Sequence, residues 1–321
     1  MREQRLALLI LIAVKTSNLY SWNFPKHDFC AADTRLSYLF DPNSKLTATE
    51  TLNLLRSKAG LVSPQNLSYG YTKGTVWPYL KVKQAEVWQK CILELANPQL
   101  GKIDIFEVAA PNDALKEIAQ LGDGYSFSER FYRVRNYVFP FRADRDQEFL
   151  LSLKSTATMT VPIKIQWRDQ YISDSSRDYL LLGLFYGIMI FFIFFGFHSF
   201  VSFGNRGYLI YTLFAASILL FFIDRDGIAF QYLWSGATEW KMRSVRVIAA
   251  ITMALGVLYY SQILRVERKT LYICYLYVAL CALLVVALVW LDPGKTNRAT
   301  ILISLGTPLL MVFLPLSLIK R

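Results

Sequence analysis

The sequence predicts a two-part fold: an all-β sandwich of jelly-roll type followed by an all-α bundle of transmembrane helices. Two observations predict it. Between Ser68 and Trp167 short runs alternate apolar and polar side chains with period two, separated by turn residues. From Tyr179 onward the chain becomes a ladder of apolar runs, each about the length that crosses a bilayer. A soluble module joined to a spanning bundle is the layout of a receptor.

The segment before Trp22 carries Arg2 and Arg5 and then the apolar stretch Leu6 to Val14. At about 1.5 Å per residue this stretch covers less than half of a hydrocarbon core of about 30 Å, so it does not span. It fits the basic and apolar regions of a secretory signal, and residues 1–21 are expected to be signal-like. Residues 22–170 are then the exported sandwich. Val161, Ile163, Ile165 and Trp167 give the cleanest alternation, and Lys102–Phe106 and Phe149–Leu153 give others. Asn97-Pro98 and Gly122-Asp123-Gly124 mark turns. Arg35 to Ala59 predicts one short helix leading into the sandwich, and the polar, serine-rich Arg168 to Arg177 predicts a linker to the membrane.

Residues 178–321 predict five spans, at Tyr179–Val201, Tyr208–Ile223, Val245–Leu264, Leu271–Leu291 and Ala299–Ile319. Pro308 and Pro315 predict a kink in the fifth. With the sandwich outside, Arg206, Arg265, Arg268, Lys269, Lys320 and Arg321 fall in the cytoplasm, as the positive-inside rule requires. Lys241, Arg243 and Arg246 fall on the opposite side and run against it. The expected location is the bacterial inner membrane, with the N-terminal domain extracytoplasmic and the C-terminus cytoplasmic.

The formal net charge of +11 would suit a nucleic-acid binder, but the basic residues flank membrane runs or are scattered singly. No basic helix interleaved with aromatics is present, so nucleic acid is excluded as a partner. Of the four cysteines, Cys274 and Cys281 share a face of one apolar helix and read as small packing residues. Cys30 and Cys91 would lie in an oxidising compartment, where a disulfide and two separate buried thiols are both open. With two histidines in the chain, neither in a supporting motif, no catalytic or metal constellation is expected, and no cofactor.

Several motifs together resemble the bacterial seven-transmembrane receptors with diverse intracellular signalling modules. They are Gly183-Leu-Phe-Tyr186-Gly187, Arg206-Gly207-Tyr208-Leu-Ile-Tyr211 and Gly227-Ile-Ala-Phe-Gln231-Tyr-Leu-Trp234 in the membrane half. The soluble half adds Tyr69-Gly70-Tyr71-Thr72, Leu93-Glu-Leu-Ala-Asn97-Pro98, Phe127-Ser128-Glu129-Arg130 and Phe139-Pro140. The resemblance implies a jelly-roll sensor similar to carbohydrate-binding modules, seven helices, and an output domain such as a histidine kinase or diguanylate cyclase. Three departures stand out. Gly196 occupies a place where the family usually has Asn, Trp77-Pro78-Tyr79 lacks the usual basic residue after the tryptophan, and the sequence ends at Arg321. The last leaves two expectations: a receptor acting through a separate cytoplasmic output protein or as a homodimer, or a truncated, non-signalling, membrane-anchored glycan binder.

A sandwich of this kind would recognise a small polar ligand, a carbohydrate or carboxylate, by aromatic stacking and basic side chains. The candidates are Trp77, Tyr79, Arg130, Tyr132, Arg142 and Arg145. For Trp77 the competing role is a core side chain; for the arginines it is a solvated face. In the membrane, His198 is singled out because ionisable groups there are costly; interfacial packing is the competing role.

Overall fold

The computed structural model describes residues 30, 35–57, 68–84, 90–109, 114–155, 158–160, 162–264, 266–291, 296, 300 and 302–310. The signal-like segment, Pro315 and the terminal Lys320-Arg321 lie outside the described residues. The sandwich is built of antiparallel strands: β1 (Arg35–Asp41), β2 (Ser68–Tyr71), β3 (Thr75–Val82), β4 (Lys90–Leu95), β5 (Lys102–Ala109), β6 (Ala114–Leu121), β7 (Tyr137–Arg142), β8 (Gln147–Lys154), β9 (Thr158–Thr160) and β10 (Ile163–Trp167). A five-stranded sheet runs β1-β3-β8-β5-β6 and a three-stranded sheet runs β10-β4-β7, with β2-β9 as a small third pair. Their inner faces meet in one core, where Val76, Leu80, Ile103 and Leu151 oppose Leu93, Tyr137, Phe139 and Ile165. Cys30 and Cys91 form a disulfide with Cα atoms 5.9 Å apart, which settles their open assignment.

The region expected to hold one helix holds a strand and a helix. β1 pairs with β3 from Arg35↔Lys81 to Asp41↔Thr75, and α1 (Ala48–Arg56) follows. Thr47 and Glu50 close a capping box at the start of α1, each satisfying the other's end of the first turn. The buried side of α1, Leu52 and Leu55, covers the outer face of the five-stranded sheet at Leu39, Trp77, Tyr79 and Leu150. β3 is therefore buried on both faces, which hides the alternation a half-exposed strand would show.

The expected linker is absent. β10 ends at Trp167 and α2 (Arg168–Phe203) begins at the next residue, running 36 residues without a break. Its serines do not interrupt it, because Ser176 returns its hydroxyl to the Ile172 carbonyl at 2.8 Å. Tyr171 in its first turns packs on Ile92 and Val138 of the three-stranded sheet. The sandwich is thus fused to the first spanning helix.

α3 (Arg206–Arg225), the short α4 (Ile228–Tyr232), α5 (Thr238–Ile263) and α6 (Arg268–Trp290) follow. Among the described residues four helices, α2, α3, α5 and α6, are long and apolar enough to cross a membrane, one fewer than the five expected. Of the fifth run, residues 302–310 are described and helical, with Pro308 among them. Gly196 lets α3 come close to α2: a Cβ there would lie 2.6 Å from the Tyr211 ring.

Candidate functional site: the junction between sandwich and bundle

The best-defined polar and aromatic cluster lies where the sandwich meets the outer ends of the helices. The loop between β6 and β7 builds its upper half. Gly122 turns the chain at φ +135°, and the Asp123 amide then bonds the Leu100 carbonyl at 3.0 Å. The Tyr137 hydroxyl lies 2.9 Å from the Asp123 carboxylate and 3.1 Å from the Leu100 carbonyl. A single 3-10 turn at Phe127–Glu129 then aims Phe127 at the bundle.

α4 builds the lower half. Gly227, at φ +81°, starts it in a conformation that side chains resist, and a Cβ there would meet Pro98 at 2.7 Å. Phe230 of α4 is fully buried and meets Phe127 edge to face at 5.6 Å. Arg130 closes the contact. Its guanidinium lies 4.2 Å from the Tyr137 ring centre, 4.5 Å from Phe127 and 5.4 Å from Phe230. It also donates to the carbonyls of Val134 (3.1 Å) and Arg135 (2.9 Å), so one cation ties strand, loop and α4 together.

Hydrogen bonds cross the same seam. Gln99 donates to the carbonyls of Asp224 (3.3 Å) and Arg225 (3.0 Å), and Gln231 donates to that of Arg133 (2.8 Å). The Phe127 amide bonds the Ser235 carbonyl at 3.1 Å. Tyr179 of α2 accepts from the Arg135 amide (3.1 Å) and donates to Gln231 (3.2 Å), and Arg135 pairs with Asp178 at 3.3 Å. Beneath them Asp224 of α3 and Lys241 of α5 form an ion pair at 3.6 Å with no exposure on either side chain.

Burial dominates the electrostatics here. It raises the Asp123 carboxyl above the ordinary range, against the pull of Lys241, Tyr137 and Arg130. It raises the Tyr137 phenol well above its usual value and lowers the Arg130 guanidinium. Nothing in this arrangement presents a nucleophile to an open cleft, and among the described residues no cluster of metal-ligating side chains forms. What the arrangement does is hold the loop, the three-stranded sheet and α4 together.

The sequence-derived candidates do not converge. Trp77 and Tyr79 lie under α1, in the small outer core. Tyr79 bonds Glu148 at 2.5 Å, and Arg145 is exposed and pairs with Glu107 at 2.9 Å. Arg142 is exposed at the end of β7. Arg130 and Tyr132 lie on the bundle side, Tyr132 packing near Tyr171. His198 is exposed near the end of α2 and makes no hydrogen bond or ion pair among the described residues. Sequence reasoning quoted Gly227 in a motif without a structural role, and missed Gln99 and the Asp224–Lys241 pair. A signal was present for the pair, since Asp224 closes one apolar run and Lys241 stands shortly before the next. Lys241, which ran against the positive-inside count, is thereby accounted for: its charge is neutralised inside the bundle.

Residues 33–167 match the family model described as 7TMR-DISM extracellular 2, and residues 178–321 match the one described as 7TM diverse intracellular signalling. No curated protein matches the chain. The boundary between the two matches falls within the first turns of α2, next to the junction.

Proposed function

The chain belongs to the seven-transmembrane receptors with diverse intracellular signalling modules, and from that premise we propose that its sandwich binds a small polar ligand, a carbohydrate or a carboxylate, and drives the helices through the junction. It is a multi-pass membrane receptor with an extracellular sensor domain. The observation that carries the coupling is the unbroken run from β10 into α2, tied to α4 by the hydrogen bond from Tyr179 to Gln231. A flexible linker would dissipate a movement of the sandwich; a continuous helix passes it on. A ligand acts only if it binds the two bundle arrangements with different affinity. No catalysis is assigned to these residues.

The test is hydrogen exchange on the full chain in nanodiscs, against a panel of sugars and carboxylates. A binder should slow exchange in the sandwich and change it in residues 226–234 as well. Protection confined to the sandwich would sink the coupling and favour an anchored glycan binder. A panel without a binder would sink the ligand class. For the inner-membrane orientation, alkaline-phosphatase fusions after Gln170 and near Asp292 should be active and one after Lys269 inactive; the reverse pattern would invert the topology.

A further inference from the structure

One buried carboxylate of the junction has no cation in contact with it. Asp123, 5% exposed, receives the Tyr137 hydroxyl at 2.9 Å and makes no ion pair among the described residues. A carboxylate taken so far out of water needs a counter-charge. Two cations pull on it from nearby, Lys241 and Arg130. Arg130 is committed elsewhere, since its guanidinium donates to the carbonyls of Val134 and Arg135 and lies against three rings.

Lys241 is less committed. Its ammonium is fully buried and carries three N–H donors. It stands 3.6 Å from the Asp224 carboxylate and 3.4 Å from the Asp224 carbonyl. Both are long beside the roughly 2.8 Å of a closed ammonium–carboxylate bond. The same carbonyl accepts from Gln99 of the sandwich at 3.3 Å, so the ammonium and the Gln99 amide converge on one atom. From Gln99 the path to Asp123 is short: the next residue, Leu100, holds the Asp123 amide on its carbonyl at 3.0 Å, with the Tyr137 hydroxyl at 3.1 Å. The ammonium is therefore in reach of carboxylates from both regions and closed on neither.

We infer that Lys241 is a counter-ion shared by the two regions: its ammonium pairs with Asp224 at the end of α3 or turns to Asp123 on the loop between β6 and β7. A movement of that loop against the bundle changes which carboxylate holds the ammonium, and with it what α3 and α5 hold between them. Lys241 is a positioning residue in this arrangement and meets no ligand. The sharing rests on the coupling proposed for the junction and not on the ligand. It is tested without one, so that a failed ligand panel and a failed test here are separate results.

The test neutralises each carboxylate in the full chain in nanodiscs and follows thermal unfolding. Asp123→Asn and Asp224→Asn each leave Lys241 one partner, so each should lower the melting temperature by no more than about 3 °C. The double variant leaves the ammonium buried and unpaired, and should lose at least about twice the sum of the single losses. Lys241→Met added to the double variant should restore the melting temperature, which separates an unpaired cation from a chain that fails to fold. Hydrogen exchange gives a readout that packing alone would not move. In Asp224→Asn, where the ammonium turns to Asp123, amides 121–126 should exchange at least about threefold more slowly than in the parent. Additive losses in the double variant would overturn the sharing, as would unchanged or faster exchange of that loop in Asp224→Asn. A loss in Asp224→Asn as large as in the double variant would give Lys241 to Asp224 alone. A double variant that Lys241→Met does not restore would assign the loss to the carboxylates themselves and overturn the role of the lysine.

Discussion

The sandwich and the bundle solve burial in opposite ways. In the sandwich the inner faces are aliphatic and aromatic, and the charged pairs lie outside, as with Arg145 and Glu107. In the bundle Phe191, Phe194 and Leu184 face outward, while Ser199, Thr212, Ser217, Asp224 and Lys241 are buried. The outward apolar surface is what a hydrocarbon solvent allows, and the inward polar groups bond to backbone or to each other. Thr212, for example, returns its hydroxyl to the Tyr208 carbonyl at 2.8 Å. The junction is where one rule gives way to the other. It is therefore made of groups that serve both: aromatic rings, a delocalised guanidinium and backbone carbonyls.

The largest test of that contrast is one lysine in each region. Lys241→Met leaves the Asp224 carboxylate buried and unpaired, and should cost about 3–5 kcal/mol. Adding Asp224→Asn should recover most of the loss. Lys81→Met, which removes an exposed partner of Glu148 while Tyr79 and Arg56 stay, should cost at most about 1 kcal/mol. Thermal unfolding in detergent would compare them, and equal losses would erase the distinction drawn between the regions.

The second test separates the regions chemically. Cys30→Ser removes a link spanning 61 residues and should cost the sandwich about 2–5 kcal/mol. Reductant should have the same effect on near-ultraviolet circular dichroism of the sandwich. Cys274 and Cys281 are free thiols in α6, so the helical signal should hold. Loss of both signals together would mean that the bundle depends on the sandwich for its own fold.

The legibility of the fold follows the same contrast. β10 and β5 were readable because Ile163, Ile165, Ile103 and Ile105 join the core while the polar Lys164, Gln166 and Asp104 alternate with them in sequence. β1 was not, since Leu36, Tyr38, Leu39 and Phe40 put apolar groups on both faces beneath α1. The capping box at Thr47 and Glu50 was a local signal for the start of α1 that the composition of the segment obscured. The start of α2 was hidden because serine and aspartate read as linker, although their helix penalty is small once Tyr171 anchors the turn. At the junction Arg130 stood out as a residue, but its partners come from β7 and α4, and no spacing in the sequence brings those together.

A smaller effect is expected within the bundle at Gly196, where the resemblance places an asparagine. Gly196→Asn would drive a side chain into Tyr211 and Thr212, whose nearest atoms would lie 2.6 and 2.7 Å from the new Cβ. Overpacking of this kind costs about 1–3 kcal/mol. A variant as stable as the parent would show that α2 and α3 can separate without loss. That would weaken the case for a bundle held by close helix contact.

The smallest expected effect is a pH dependence confined to the sandwich. Glu148 on β8 accepts from Tyr79 at 2.5 Å and Arg56 at 2.6 Å, and pairs with Lys81 at 3.0 Å. Burial pushes its carboxyl up, but these three partners outweigh it and hold it at about 2, below the ordinary 4.5. A folded value below the unfolded one means that its contribution is complete above pH 4.5 and is lost as pH falls toward 2. The carboxylate is 26% exposed and Lys81 is 46% exposed, so solvent screens the cluster, and the contribution should stay under about 1 kcal/mol. Glu148→Gln should flatten that part of the curve, measured as the urea midpoint of the sandwich at successive pH values. The helical signal should be unchanged by the substitution. An acid slope just as steep in the variant would assign the effect to other carboxylates and leave this cluster with a packing role alone.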